Sequence, residues 1–155
     1  MTAVPEPDRL AMREALAEAH AALATGDVPV GAVVIDASGR IQGRGRNERE
    51  ATNDPTAHAE VVALREAATA IGDWQLTGCT LVVTLEPCVL CAGAILAARV
   101  PRVVFGAFDD KAGAAGGVVD LLRERRLPFR VDEVVGGVMA DESAALLREF
   151  FDARR

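Results

Sequence analysis

Two short segments, His58-Ala59-Glu60 and Pro87-Cys88-Val89-Leu90-Cys91, each sit in the first turns of a predicted helix that begins with proline. Between them runs TLVVTLE (80–86), a β-branched stretch that reads as a buried strand. Cys88 and Cys91 are three positions apart, so on one helix face both sulfurs reach a common point. The positive end of the helix dipole there lowers thiol pKa and favours thiolates. On a helix, residues two apart point about 200° away from each other. His58 and Glu60 therefore converge on one site only if it lies at the helix's N-terminal end.

Asp8 to Leu23 suits a helix stopped by Gly26; VPVGAVVID and IQGRGRN then read as two strands of a hairpin turning at Ala37-Ser38-Gly39. After a polar loop, Glu48 to Asn53, the stretch DPTAHAEVVALREAATAIG predicts a helix with Asp54 as N-cap, Pro55 at its first position and Gly72 as its stop. The strand TLVVTLE, the helix PCVLCAGAILAARV and the strand RVVFGAF follow. A glycine-rich loop, DDKAGAAGG, precedes an amphipathic helix VVDLLRERR, a short strand around VDEVVGGV and a final helix DESAALLREFFDARR. The order α, β, β, α, β, α, β, α, β, α favours an α/β sheet covered on both faces.

A length of 155 residues suits a single domain over 1–155 with one good core. No run approaches the roughly 18 apolar residues of a membrane span, and the opening MTAVPEPDRL is acidic and proline-containing rather than basic then apolar. A soluble, cytoplasmic protein with no membrane partner is expected. Three cysteines without a secretion signal read as thiols or metal ligands rather than a disulfide framework. The net charge of −6 argues against nonspecific coating of nucleic acid and leaves room for a small basic footprint.

A structural zinc site is closed by four protein ligands, whereas a catalytic one keeps a position for water. Beyond His58, Cys88 and Cys91 the soft ligand types offer only His20 and Cys79. The strand 80–85, at about 3.3 Å per residue, holds Cys79 roughly 20 Å from Cys88. The expected coordination is one histidine, two thiolates and one water, one Zn2+ per subunit, with Glu60 placed to take a proton from that water and return it to a leaving group. H-x-E followed by P-C-x-x-C is the known signature of the zinc base deaminases.

The stretches VPVGAVV, DPTAHAEVVALR, TLVVTLEPCVLCAGA, RVVFGAFDDKAGAAG and ADESAALLREFF span nearly the whole chain and resemble the bacterial tRNA-specific adenosine deaminases of the TadA type. The HAE and PCxxC elements are shared with cytidine and guanine deaminases, so the wording around them carries the finer likeness. The resemblance implies a cytidine deaminase-like three-layer α/β/α sandwich with a five-stranded mixed sheet, assembled as a homodimer. It also implies conversion of the wobble adenosine of an arginine tRNA to inosine, by attack of zinc-bound hydroxide with Glu60 as proton shuttle and the tRNA anticodon loop as partner. Carried across by position, Asn47 matches a contact to the flipped base, and Asp109 and Lys111 match loop residues near the substrate backbone. Phe150 and Phe151 match an aromatic pair close to the anticodon loop. Asn53 and Phe108 depart from the family pattern, which has a histidine and a polar or charged residue there.

Two rival readings share the zinc site: a deaminase of free nucleobases or nucleosides, and a non-catalytic zinc-stabilised RNA-binding module. The glycine-rich loop lacks the Gly-Lys-Ser/Thr ending of a phosphate-binding P-loop, which excludes that class of nucleotide hydrolase. Trp74 is expected in the core, Cys79 as a small buried thiol and His20 as a helix-end side chain. Arg40, Arg44 and Arg46 share one strand parity, joined by Arg49, and suit either a solvated face or RNA contact.

Overall fold

The computed structural model describes residues 3–155; Met1 and Thr2, the first two residues of the acidic opening stretch, lie outside the described residues. Five strands form one mixed sheet in the order β2-β1-β3-β4-β5. They are β1 (Gly31–Ile35), β2 (Ile41–Arg46), β3 (Thr80–Leu85), β4 (Arg102–Ala107) and β5 (Glu133–Val135). β1 pairs antiparallel with β2 and β3, whereas β3, β4 and β5 run parallel. Helices cover both faces, as the α/β/α expectation requires: α1 (Glu6–Ala21) and α5 (Ala140–Asp152) on one, α3 (Ala59–Ile71) and α4 (Val89–Ala97) on the other.

The alternation of side chains along β1 shows how the layers form. Val33 and Ile35 pack with Ala11, Met12 and Ala15 of α1, while Ala32 and Val34 pack with Ala59, Ala63 and Ala67 of α3. Both helices approach closely because glycines face them. A Cβ on Gly31 would lie 1.9 Å from the Ala15 carbonyl oxygen in α1, and one on Gly45 would lie 2.3 Å from the Ala59 carbonyl oxygen in α3. The arginine fork of Arg102 in β4 binds both oxygens of the buried Asp8, at 2.7 and 2.6 Å, and ties α1 across the sheet.

Three expected elements differ. The helix predicted from Asp54 begins at Ala59: the Asp54 carboxylate instead accepts the Thr56 N–H and hydroxyl at 2.9 and 2.8 Å, an Asx turn that places Pro55 before the helix. Part of the predicted polar loop forms a single turn, α2 (Arg49–Thr52), ended by Asn53 at φ 55°. Asparagine tolerates that left-handed conformation better than other side-chain-bearing residues, which gives Asn53 a backbone reason of its own. VVDLLRERR is not helical, because the Val118 and Val119 N–H groups donate to the Gly113 carbonyl and that of Leu121 to Ala114. Those bonds take the amides away from a helical ladder, and Leu122 alone is driven fully into the core.

No helix among the described residues is long and apolar enough to cross a membrane. Trp74 is 58 % exposed, against the core placement expected for it; the Arg99 guanidinium lies 5.3 Å from its ring. Its position in the short connection between α3 and β3 gives it no layer to pack under. Arg44 and Arg46 reach back to Glu14 and Glu18 of α1 at 2.7 and 3.1 Å, a paired surface face.

Candidate active site

Two helix N-termini meet at one end of the strands, beside the end of the central strand β3. His58 is the N-cap of α3, extended at φ −71° and ψ 151°, and Cys88 is the N-cap of α4 at φ −82° and ψ −178°. Pro55 lies within the turn before α3, and Pro87 directly precedes Cys88. Glu60 and Cys91 follow within the first turns and are buried. Because His58 stands outside the helical spiral, it and Glu60 face one point in spite of their spacing.

His58 Nδ1 lies 3.6 Å from Cys88 Sγ and 3.5 Å from Cys91 Sγ, and the three donor atoms are within 4.8 Å of one another. Tetrahedral zinc, with N and S ligands at about 2.0–2.1 and 2.3 Å, separates such atoms by roughly 3.5 Å. The donor set therefore fits that ion with three protein ligands. Cys79 is buried in the core at the far end of β3 and His20 is exposed at the end of α1, so neither joins the group.

Both sulfurs lie within hydrogen-bonding distance of the His58 ring nitrogen. The hydrogen bond with Cys88 raises the His58 pKa, and that from Cys91 holds the Cys88 thiol down at about 4, with His58 adding to it. Cys91, as the donor to Cys88 in a buried position, is pushed up. Burial pushes the Glu60 carboxyl up to about 7. The positive ends of the two helices favour the thiolate forms that a metal requires, and metal binding would displace the protons.

The donors open onto a cavity of about 60 Å³ whose walls include Asn47, Glu60, Leu85, Glu86 and Asp109. Asn47 follows β2; its N–H donates to the Val30 carbonyl and its Oδ1 accepts the Arg49 N–H at 3.1 Å. Asp109 turns the glycine-rich loop by accepting the Lys111 and Ala112 N–H groups at 3.0 and 3.1 Å. Lys111 lies in an adjoining cavity of about 380 Å³, with Phe108 and Phe151 on its walls. Phe108 is exposed yet braced, edge-on to Phe105 at 5.0 Å. Phe150 is only 6 % exposed, under the Arg154 guanidinium at 3.4 Å, while Phe151 is open to solvent.

Two buried carboxylates escape a reading of motifs. Asp27 caps α2 by accepting the Glu50 and Ala51 N–H groups at 2.6 and 3.2 Å, beside Asn47 and Arg49. Glu86 sits between β3 and the first cysteine, and its carboxylate accepts N–H groups from the glycine-rich loop. The one visible signal for Glu86 is an acid at the end of an otherwise apolar strand; for Asp27 the sequence offers none.

Residues 5–107 match the model of the cytidine and deoxycytidylate deaminase zinc-binding region. A tRNA-specific adenosine deaminase of Bacillus subtilis is 47% identical over 93% of this chain and 88% of its own length. A tRNA(Ile)-lysidine synthase of Deinococcus radiodurans is 54% identical over 94% of this chain, which spans 25% of that longer protein. A solved structure from a study of A-to-I editing by tRNA:A34 deaminases at the wobble position superposes with a TM-score of 0.84 and 40% identity, over 89% of this chain and 99% of the other. By this likeness and by the convergence of His58, Glu60, Cys88 and Cys91 at two helix starts, the chain belongs to the family of the cytidine and deoxycytidylate deaminase zinc-binding region.

Proposed function

We propose that this chain is a zinc-dependent hydrolytic deaminase that converts adenosine to inosine at the wobble position of a tRNA, an arginine tRNA being the first candidate, in the cytoplasm. The observation that carries the reaction is the buried Glu60 carboxyl beside a His/Cys/Cys donor set in one small pocket. The likeness to the Bacillus subtilis deaminase supports the substrate.

Zinc held by His58, Cys88 and Cys91 supplies a Lewis acid that makes water nucleophilic near neutral pH. Glu60, buried beside that donor set, is the carboxyl placed to accept and release protons there. It takes one proton from the attacking water and delivers it to the ring nitrogen as the C–O bond forms at the amino-bearing carbon, then takes the second from the new hydroxyl as the carbonyl forms and passes it to the departing amine. The C–N bond breaks, ammonia leaves, and the net change is adenosine plus water to inosine plus ammonia. Asn47 and Asp109 line the space that the base would enter, and Lys111 and Phe151 line the adjoining cavity, which would take the flanking strand; Phe150, buried behind Phe151, would support it from the core side. A stacked base cannot reach a pocket this small, so the substrate is a splayed loop nucleotide.

The outer face of α4 supports a homodimer. This helix is apolar nearly all round, yet Val89 and Leu90 stay 59 % and 41 % exposed.

The test compares ammonia release from free adenosine, guanine, cytosine and an arginine-tRNA anticodon stem-loop. Turnover of a free base with none of the stem-loop would overturn the substrate. Glu60→Ala should keep zinc and RNA binding while inosine formation falls by about 10²–10⁴-fold. Retained activity would remove Glu60 from the mechanism, and loss of zinc or RNA binding would make its role structural.

A further inference from the structure

Glu86 takes no part in the proton transfers above, yet it is 2 % exposed and lines the same cavity. Among the described residues no arginine, lysine or histidine forms an ion pair with it. Its partners are backbone amides: Oε1 accepts the Asp109 N–H at 2.9 Å, and Oε2 accepts those of Ala115 and Gly117 at 3.0 and 2.7 Å. A buried carboxylate is retained at such a cost only when several donors replace its water.

The loop is shaped around this group. A Cβ on Gly113 would lie 2.4 Å from the Glu86 carboxyl carbon, and one on Gly117 would lie 2.6 Å from Oε1. Neither glycine has a positive φ; the carboxylate demands Gly113, and the carboxylate together with the Asp109 carbonyl oxygen, also at 2.6 Å, demands Gly117. The next residue adds a fourth tie, the Pro87 carbonyl accepting the Ala114 N–H at 2.7 Å. Glu86-Pro87-Cys88 thus joins one donor of the His/Cys/Cys group to the loop that carries Asp109 and Lys111.

We propose that Glu86 is a positioning residue for substrate: its carboxylate gathers the 109–117 loop so that Asp109 and Lys111 stand in fixed register with Cys88. The proposal rests on the deaminase reading for its kinetic consequence and on geometry alone for its structural one. Glu86→Gln keeps the volume and turns an acceptor into an NH2 group facing N–H donors, so at least one loop amide loses its partner. Gly113→Ala attacks the same contact from the loop side.

Three measurements on the zinc-loaded protein decide it. In Glu86→Gln, hydrogen exchange should quicken at the Asp109, Ala115 and Gly117 amides with the β1 and β3 amides unchanged. Zinc stoichiometry should stay at the wild-type value. KM for the stem-loop should rise by about tenfold or more, a larger change than the fall in kcat. Gly113→Ala should act in the same direction, and the double variant should fall short of the two effects combined. Should Glu86→Gln fail to fold, Gly113→Ala carries the exchange and KM measurements by itself. Unchanged loop exchange, exchange raised throughout the sheet, or a loss confined to kcat would overturn the proposal. Wild-type turnover of the stem-loop is the separate control: its failure would sink the substrate reading, while the exchange result is read without any substrate.

Discussion

Replacing Gly45 with alanine adds one methyl group against the backbone of α3, at the turn that separates His58 from Glu60. That Cβ would sit 2.3 Å from the Ala59 carbonyl oxygen, 2.6 Å from the Ala63 nitrogen and 3.0 Å from Val62 Cβ. Ordinary contacts of this kind lie near 3.5 Å, so the start of α3 must withdraw from β2 by about 1 Å. Overpacking of this sort costs about 1–3 kcal/mol, or a fall in Tm of some 4–8 °C at the middle of that range for a chain this size. The withdrawal also lengthens the 3.5 and 3.6 Å separations between His58 and the two sulfurs. Zinc affinity should drop about 10–100-fold, and turnover by about 100-fold even at saturating metal. Thermal unfolding, a zinc competition titration and inosine formation measure the three effects. Gly43→Ala is the matched control, pressing on the Ala63 oxygen and Ala67 nitrogen at 2.4 and 2.6 Å, one turn farther from the ligands. It should destabilise as much while sparing zinc and turnover. Gly45→Ala with wild-type Tm and zinc affinity, or a Gly43→Ala equally damaging to both, would refute the claim that this contact sets the metal geometry.

The Asp36 carboxylate accepts the Ser38 N–H and hydroxyl, the Arg40 N–H and the Gln42 amide, and these bonds, that from the Ser38 hydroxyl first, lower its pKa from 3.8 to about 2. Its folded pKa lies below the unfolded one, so its contribution to hairpin stability is present above pH 3.8 and is lost as pH falls through about 2. An NMR titration of its side-chain carboxyl should show a midpoint near that lower value, and a midpoint near 3.8 would contradict the bonding described. For the dimer, Leu90→Arg should yield a monomer by light scattering, and a retained dimer would place the contact away from α4.

Residue patterns that depend on period and on backbone-intrinsic preferences were readable in advance. The sandwich, the strand TLVVTLE and the helix-start setting of His58 and Cys88 rest on alternation, proline placement and ligand chemistry, all of them local. The misread elements are those in which another hydrogen-bond partner claims the group that a cap or a helical ladder would use. Asp54 looks like an N-cap and is one turn early, since its oxygen is taken by Thr56. The apolar spacing of VVDLLRERR suits a helix, but its amides are claimed by Gly113 and Ala114. Asp27 and Glu86 were invisible as anchors because each binds amides 23 or more positions away, and no spacing rule encodes such a meeting. Arg44 and Arg46 share a face of β2 as their parity predicts, whereas Arg40 lies before the strand and its register shift, and only the fold brings Glu14 and Glu18 to the first two.

The glycine face of β2 bears on any attempt to move this chemistry to another scaffold. A transplant that copies only His-Ala-Glu would set the donors on a helix held at the distance of ordinary side chains, too far out to meet the two sulfurs. The transferable module is larger: a terminal hairpin whose outer strand is bare on one side, together with the helix lying on it. Designers who borrow the site would have to carry that strand and helix as one piece.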